Sequence, residues 1–158
     1  MTEIIKTYRQ SVDAARFIGK KYSHADFEGS SIFEKWGEWF RAGWFDQLEK
    51  LGDVGEGQIG LIRTYDGVHE YYIGYFMPEG TAAPEGFIHV DFPAGELGVC
   101  WVRGKDGEVY GQEGRCLEKL AESGITVSGG WSFERYNCPR FTTPDEKGHI
   151  ILDVCFFL

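Results

Sequence analysis

The sequence predicts an α+β fold in which two pseudo-symmetric βαββ modules share one antiparallel sheet with two helices on one face. Three observations carry this. The order strand, helix, strand, strand occurs twice along the 158 residues. Leu48-Glu49-Lys50-Leu51, near the end of the first helical stretch, recurs unchanged as Leu117-Glu118-Lys119-Leu120 in the second. Short loops containing Gly or Pro separate the elements, as a repeated unit requires. One domain over residues 1–158 is expected, with repeats at about 4–78 and 86–158.

Residues 4–9 and 15–22 read as short strands, followed by a loop containing Gly29-Ser30-Ser31. Ser31 stands three residues before Glu34, the spacing of a capping box. From there to Leu51 the period is helical: Trp36, Phe40 and Trp44 recur at i, i+4 and i+8, with Trp39 and Leu48 beside the stripe. Gly52 ends it. Residues 58–64 and 69–77 form a predicted hairpin turned by Asp66-Gly67. Its second strand puts Tyr71, Ile73, Tyr75 and Met77 on one face and Tyr72, Gly74 and Phe76 on the other. A loop with Pro78, Gly80, Pro84 and Gly86 divides the halves. Strands at 87–92 and 96–103, turned by Pro93-Ala94-Gly95, open the second half. A helix over about 107–122, stopped by Gly124, precedes a strand at 131–138, a loop around 144–148 and a last strand at 149–158.

Composition excludes several classes of function. The net charge of -9, with no basic run, argues against direct binding to a nucleic-acid backbone, which requires clustered Lys and Arg. The N-terminus has no apolar leader and no stretch reaches membrane-spanning length, so a soluble cytoplasmic protein without a membrane partner is expected. Cys100, Cys116, Cys138 and Cys155 are widely spaced, without a CxxC pair or a recognisable His partner. Free thiols are expected, with no disulfide framework, thiol nucleophile, metal site or cofactor. Gly52, Gly55, Gly57 and Gly60 follow a helix and precede a strand, the reverse of a P-loop. Aromatic residues make up 16% of the chain, more than a core of this size needs, and rings with a polar edge suit a ligand pocket.

Within that aromatic excess one segment carries an acid: Trp131-Ser132-Phe133-Glu134-Arg135-Tyr136. Strand parity puts Glu134 and Tyr136 on one face and Trp131, Phe133 and Arg135 on the other. A carboxylate desolvated among rings has its pKa raised, and an arriving organic cation restores the ionised form. Ring faces add about 0.5–2 kcal/mol of cation–π attraction each. The competing reading is that Glu134 pairs with Arg16, Arg103 or Arg140 and ties the sheet together, or lies on a solvated face.

The chain resembles the GyrI-like family, the effector-binding domain also fused to AraC-type and MerR-type transcription regulators. The resemblance runs through Phe17-Ile18-Gly19-Lys20, the aromatic helix, Tyr72-Ile73-Gly74-Tyr75, the Pro-Ala-Gly turn leading into Val99-Cys100-Trp101, and Phe133-Glu134-Arg135-Tyr136 with its continuation Asn137-Cys138-Pro139-Arg140-Phe141-Thr142. It is similar to the stand-alone branch, since about three residues precede the first strand. The resemblance implies a duplicated, SHS2-type pair of βαββ modules with a ligand cleft between their helices. In drug-sensing members a buried Glu among rings receives lipophilic cations, and Glu134 is the matching position.

A small aromatic, cationic or amphipathic ligand is therefore expected at Glu134 and Tyr136, with Trp36, Trp39, Tyr72, Tyr75 and Trp101 as candidate walls. Some stand-alone members are instead hydrolases that open the cyclopropane of DNA-alkylating natural products. In that alternative Glu134 is the catalytic base, Tyr136 or Tyr72 the donor to the developing oxyanion, and Glu38 and Glu70 the candidate second acids. A third alternative is an adaptor binding a protein such as gyrase, for which no residue here stands out.

Overall fold

The computed structural model describes residues 2–23, 31–55, 57–136 and 138–158. The Gly29-Ser30 part of the expected loop, and Asn137, lie outside the described residues. In chain order the elements are β1 (Glu3–Val12), β2 (Ala15–Tyr22), α1 (Ile32–Ala42), α2 (Trp44–Glu49), β3 (Ile59–Tyr65), β4 (Val68–Pro78), β5 (Ile88–Phe92), β6 (Gly95–Lys105), α3 (Glu113–Glu122), β7 (Trp131–Arg135), α4 (Pro139–Thr142) and β8 (His149–Phe157). The strands form one sheet in the order β1-β6-β8-β7-β3-β4-β2-β5, every neighbouring pair antiparallel. This is the α+β architecture expected. The order reads alike from both ends: β6-β8-β7 mirrors β2-β4-β3, and the outer strands cross over, β1 pairing with β6 and β5 with β2. The two triplets meet where β7 pairs with β3.

Three local expectations are corrected. The helix expected over 31–51 is broken at Gly43, whose φ of 72° lies in the left-handed region that glycine tolerates. The break moves the buried stripe: Trp39 and Leu48 are fully buried while Phe40 is exposed. Ser31 does occupy the N-cap position, but its carbonyl, not its hydroxyl, accepts the Glu34 N–H, at 3.1 Å. The second helix starts at Glu113 rather than 107, because Gly107 and Gly111 both take positive φ and hold the preceding segment in turns. The strand at 131 ends at Arg135, where Cys138 and Pro139 begin the short α4, an element the sequence reading left out. The Asp66-Gly67 hairpin turn is as expected, both residues having positive φ.

The register fixes the faces. Ile73, Gly60, Glu134, Val154 and Cys100 form one row across the sheet, and Tyr71, Ile62, Ser132 and Phe156 the next. On this face α1 and α2 pack through Trp39, Phe45 and Leu48 onto Ile18, Ile73 and Met77. At the other end α3 packs through Cys116 and Leu120 onto Cys100, Val102 and Leu152. Between the two helical blocks lies the β7–β3 seam. The opposite face is covered by the sheet's own curl: Phe92 of edge strand β5 stacks on Phe157 of β8, with ring centroids 4.3 Å apart. That closure buries Phe17, Leu61, Phe76, Val99 and Phe133 without a helix.

At the end of this curled face sits a buried ion pair. Arg135 donates from Nε to Asp153 Oδ2 at 2.6 Å, and Arg140 from Nε to Asp153 Oδ1 at 2.7 Å. Asp153 is wholly buried, so its charge is held by the two guanidiniums. Cys100, Cys116 and Cys155 are buried free thiols and Cys138 is half-buried, as the sequence implied.

Candidate functional site

Glu134 stands at the seam, on the helix-bearing face, and only 6% of it is exposed. The arginines that the competing reading offered as partners are engaged elsewhere: Arg16 with Asp91, Arg103 with Glu3 and Arg140 with Asp153. Among the described residues no cation pairs with Glu134; the polar group that favours its ionised form is the hydroxyl of Tyr136. Burial, with the negative charge of Glu113 adding to it, raises its pKa from 4.5 to about 8, and the Tyr136 hydroxyl opposes the rise. At neutral pH Glu134 is therefore mostly a neutral acid.

Around it the side chains form a hydrogen-bonded, ring-walled cluster. Trp36 Nε1 donates to the Tyr71 hydroxyl at 3.3 Å. The Tyr71 and Tyr136 hydroxyls both lie over Gly60, the residue that pairs with Glu134 across the β3–β7 register. The rings of Trp36 and Tyr136 meet edge to face at 5.1 Å, and Phe141 closes on Tyr136 at the same distance. Burial and the nearby Glu134 charge push both tyrosines upward, so they remain neutral donors. Tyr110, whose pKa is pushed up to about 12 by burial and by Asp106, also feels the Glu134 charge. Its ring contacts that of Phe33 at 6.0 Å, bridging α1 and the turn before α3.

Gly60 makes room for this cluster. It faces Glu134 across the β3–β7 register, and a Cβ there would stand 2.3 Å from the Tyr71 hydroxyl and 3.4 Å from that of Tyr136. Only a residue without a side chain lets the Tyr71 ring lie over the sheet beside the acid.

A cavity of about 1050 Å³ opens along the seam next to this cluster. Its floor is the row Tyr71, Ile62, Ser132 and Phe156, and Ile32 of α1 and Leu117 of α3 form its sides. It shares Tyr71 and Glu113 with the acid cluster, while Glu134 stands one row along β7 from Ser132 and, like Trp36 and Tyr136, outside the cavity lining.

Of the residues singled out from the sequence, the fold brings together Glu134, Tyr136 and Trp36. Trp39 and Tyr75 lie on the same face but are core: Trp39 donates to the Tyr22 hydroxyl at 2.8 Å and Tyr75 to Glu49 at 2.6 Å. Tyr72 and Trp101 stand on the opposite, curled face, where Tyr72 donates to Glu70 at 3.5 Å and Trp101 to the Tyr8 hydroxyl at 3.2 Å. Glu70 is tied to Lys21 and Arg63, and the second acid near Glu134 is Glu113 rather than Glu38 or Glu70. Tyr71, Tyr110 and Glu113 were not singled out. Strand parity groups Tyr71 with Ile73, Tyr75 and Met77 without saying which face the helices cover; nothing local to residues 110–113 marks the other two.

No protein-family model and no curated protein matches the sequence. Solved structures do match. SAV2435, solved bound to tetraphenylphosphonium, superposes with a TM-score of 0.70 at 17% identity, covering 97% of this chain and 93% of that one. A protein from Staphylococcus aureus MU50 described as acting in bacterial transcription regulation gives a TM-score of 0.67 at 17% identity, with 97% of each chain covered. The chain has the GyrI-like fold. A hydrolase encoded by lin2189 of Listeria innocua shares the GyrI-like architecture at a TM-score of 0.51 and 14% identity, over 94% of this chain and 90% of that one. At these identities the likeness is one of fold. No helix among the described residues is long and apolar enough to cross a membrane.

Proposed function

We propose that this protein binds small lipophilic cations, with Glu134 as the counter-charge and Trp36, Tyr71 and Tyr136 as the surrounding rings. One observation carries the reading: a carboxyl buried at the centre of an eight-stranded sheet has phenols and an indole around it and, among the described residues, no cation beside it. A structural acid in such a place is ordinarily neutralised by Arg or Lys, as Asp153 is here. SAV2435, similar in fold, was solved with a phosphonium cation, which supports this ligand class. Cation–π attraction from the rings selects for charge spread over an apolar body rather than for a fixed hydrogen-bond pattern.

Tetraphenylphosphonium is the probe. Titration is expected to quench tryptophan fluorescence through Trp36, and Glu134→Gln is expected to weaken binding by about 1.5–3 kcal/mol, the scale of a hydrogen bond to a charged group. Equal affinity in the variant would remove Glu134 from the site.

A second reading is favoured by a carboxyl that titrates close to neutrality with phenols nearby, so that it can exchange a proton there. In it the ionised Glu134 takes a proton from water as the water oxygen bonds a cyclopropane carbon; the ring C–C bond breaks, its electron pair passes to a conjugated carbonyl, and Tyr136 or Tyr71 donates to that carbonyl oxygen as it gains charge. Incubation with a cyclopropane-bearing alkylator would then give a product heavier by one water, formed by the wild type and not by Glu134→Gln; absence of turnover leaves the binding reading alone.

A further inference from the structure

The curled face has an opening of its own. β1 joins β2 through Asp13-Ala14 alone, and β5 joins β6 through Pro93-Ala94, although each pair stands six places apart in the strand order. Strands six places apart in a flat sheet lie about 29 Å from one another, whereas the three Cα steps from Val12 to Ala15 span at most about 11 Å. The two short connections therefore roll the sheet toward a cylinder, and eight strands rolled in this way enclose a space that side chains fill or that holds one small ligand. Near the Asp13-Ala14 connection side chains do not fill it, and a cavity of about 240 Å³ remains. Its walls are Val12, Phe76, Leu97, Phe133 and Phe157, with the rings of Phe76 and Phe157 at 5.0 and 5.5 Å from that of Phe133. Gln10, Ser11 and Asp13 also line it; Ser11 and Asp13 are exposed and mark its mouth. Among the described residues no side-chain hydrogen bond or ion pair engages these three. Phe133 precedes Glu134 on β7 and points to the other face, so this cavity and the acid cluster lie on opposite sides of the sheet.

We propose that this cavity is a second binding site, for a small neutral bicyclic arene of the size of indole that carries one N–H or O–H. Volume sets the size, since an apolar cavity of about 150 Å³ accepts benzene and this one is larger. Phenyl walls set edge to face favour a flat aromatic guest. Uncharged walls disfavour an ion: Asp13 is the ionisable group among the described lining residues, and it stands in solvent at the mouth. The open acceptors on Asp13 and Gln10 suit a single donor on the guest. The site is independent of the cation reading above, since it uses other residues on the other face and an uncharged ligand.

The test is fluorine NMR of 5-fluoroindole titrated against the whole chain, with nuclear Overhauser contacts measured from indole itself. Saturable broadening of the fluorine line is expected below millimolar ligand, with contacts to the rings of Phe76, Phe133 and Phe157. Ala14→Leu and Val12→Phe add carbons to the cavity from half-buried positions. Each is expected to weaken 5-fluoroindole about tenfold or more while keeping a cooperative melt and an unchanged tetraphenylphosphonium affinity. 1-Methylindole, which lacks the donor, is expected to bind about three- to tenfold more weakly than indole; equal affinity overturns the donor's role at the mouth. No broadening at millimolar ligand overturns the site. Full affinity in both filled variants, or Overhauser contacts to Trp36 and Tyr71 in place of the three phenylalanines, puts the arene elsewhere and also overturns it. Displacement of 5-fluoroindole by tetraphenylphosphonium, or its loss in Glu134→Gln, overturns a separate site as well. Binding of the arene as described by a chain that ignores tetraphenylphosphonium upholds this site and sinks the cation reading alone.

Discussion

Glu134 is held by opposing forces of unequal size. Burial and the charge of Glu113 favour its neutral form; one phenol favours its ion, and the balance raises the pKa from 4.5 to about 8. Between those values the folded chain keeps a proton that the unfolded chain releases, so the group's contribution to stability falls as pH rises through the window and is flat above it. Gly60 sets the geometry that makes this useful. Gly60→Ala would push the Tyr71 hydroxyl off the seam and break its hydrogen bond from Trp36. Because the clash is with the far end of one side chain, folding should survive while tetraphenylphosphonium affinity falls about tenfold, the scale of one charge-assisted hydrogen bond; fluorescence titration beside a thermal melt separates the two effects. Of these residues Glu134, Tyr136 and Trp36 were legible locally, through strand parity and helical period. Gly60, Tyr71 and Glu113 were not, because what places them at the acid is pairing across β3, β4 and β7 and the docking of α3, all of long sequence separation.

At the scale of elements, what was readable was whatever a short window decides. The Asp66-Gly67 hairpin, the alternating faces of β4 and the stop at Gly124 follow from turn chemistry and side-chain period. The broken first helix was not readable, since Trp36, Phe40 and Trp44 keep a helical period across Gly43, and only packing shows that Phe40 is left in solvent. The delayed start of α3 has a local signal in Gly107 and Gly111, which take positive φ and keep residues 107–112 out of the helix. That delay matters for function: it frees Tyr110 to reach Phe33 and puts Glu113 in the first turn of α3, facing the cavity.

For the whole molecule, the sheet presents two aromatic faces and uses them differently. One is sealed by its own curl, which packs Tyr72 and Trp101 into or against a core and removes them from the cleft under the helices. The other is covered by two helical blocks that leave the central seam open, and the row through Glu134 runs along it. Composition announced the excess of rings but not their division between the faces, which depends on the sheet's curvature. On the cation reading, a ligand entering this seam meets a protonated Glu134 and ionises it, with Glu113, Tyr71, Tyr110 and Tyr136 as the other titratable groups facing the site. The direct measurement is calorimetry of tetraphenylphosphonium binding at pH 7 in buffers of different ionisation enthalpy. Close to one proton should be released per cation bound, declining to none well above pH 8 and absent in Glu134→Gln. Binding at pH 7 without proton release, or with the same release from Glu134→Gln, would contradict it.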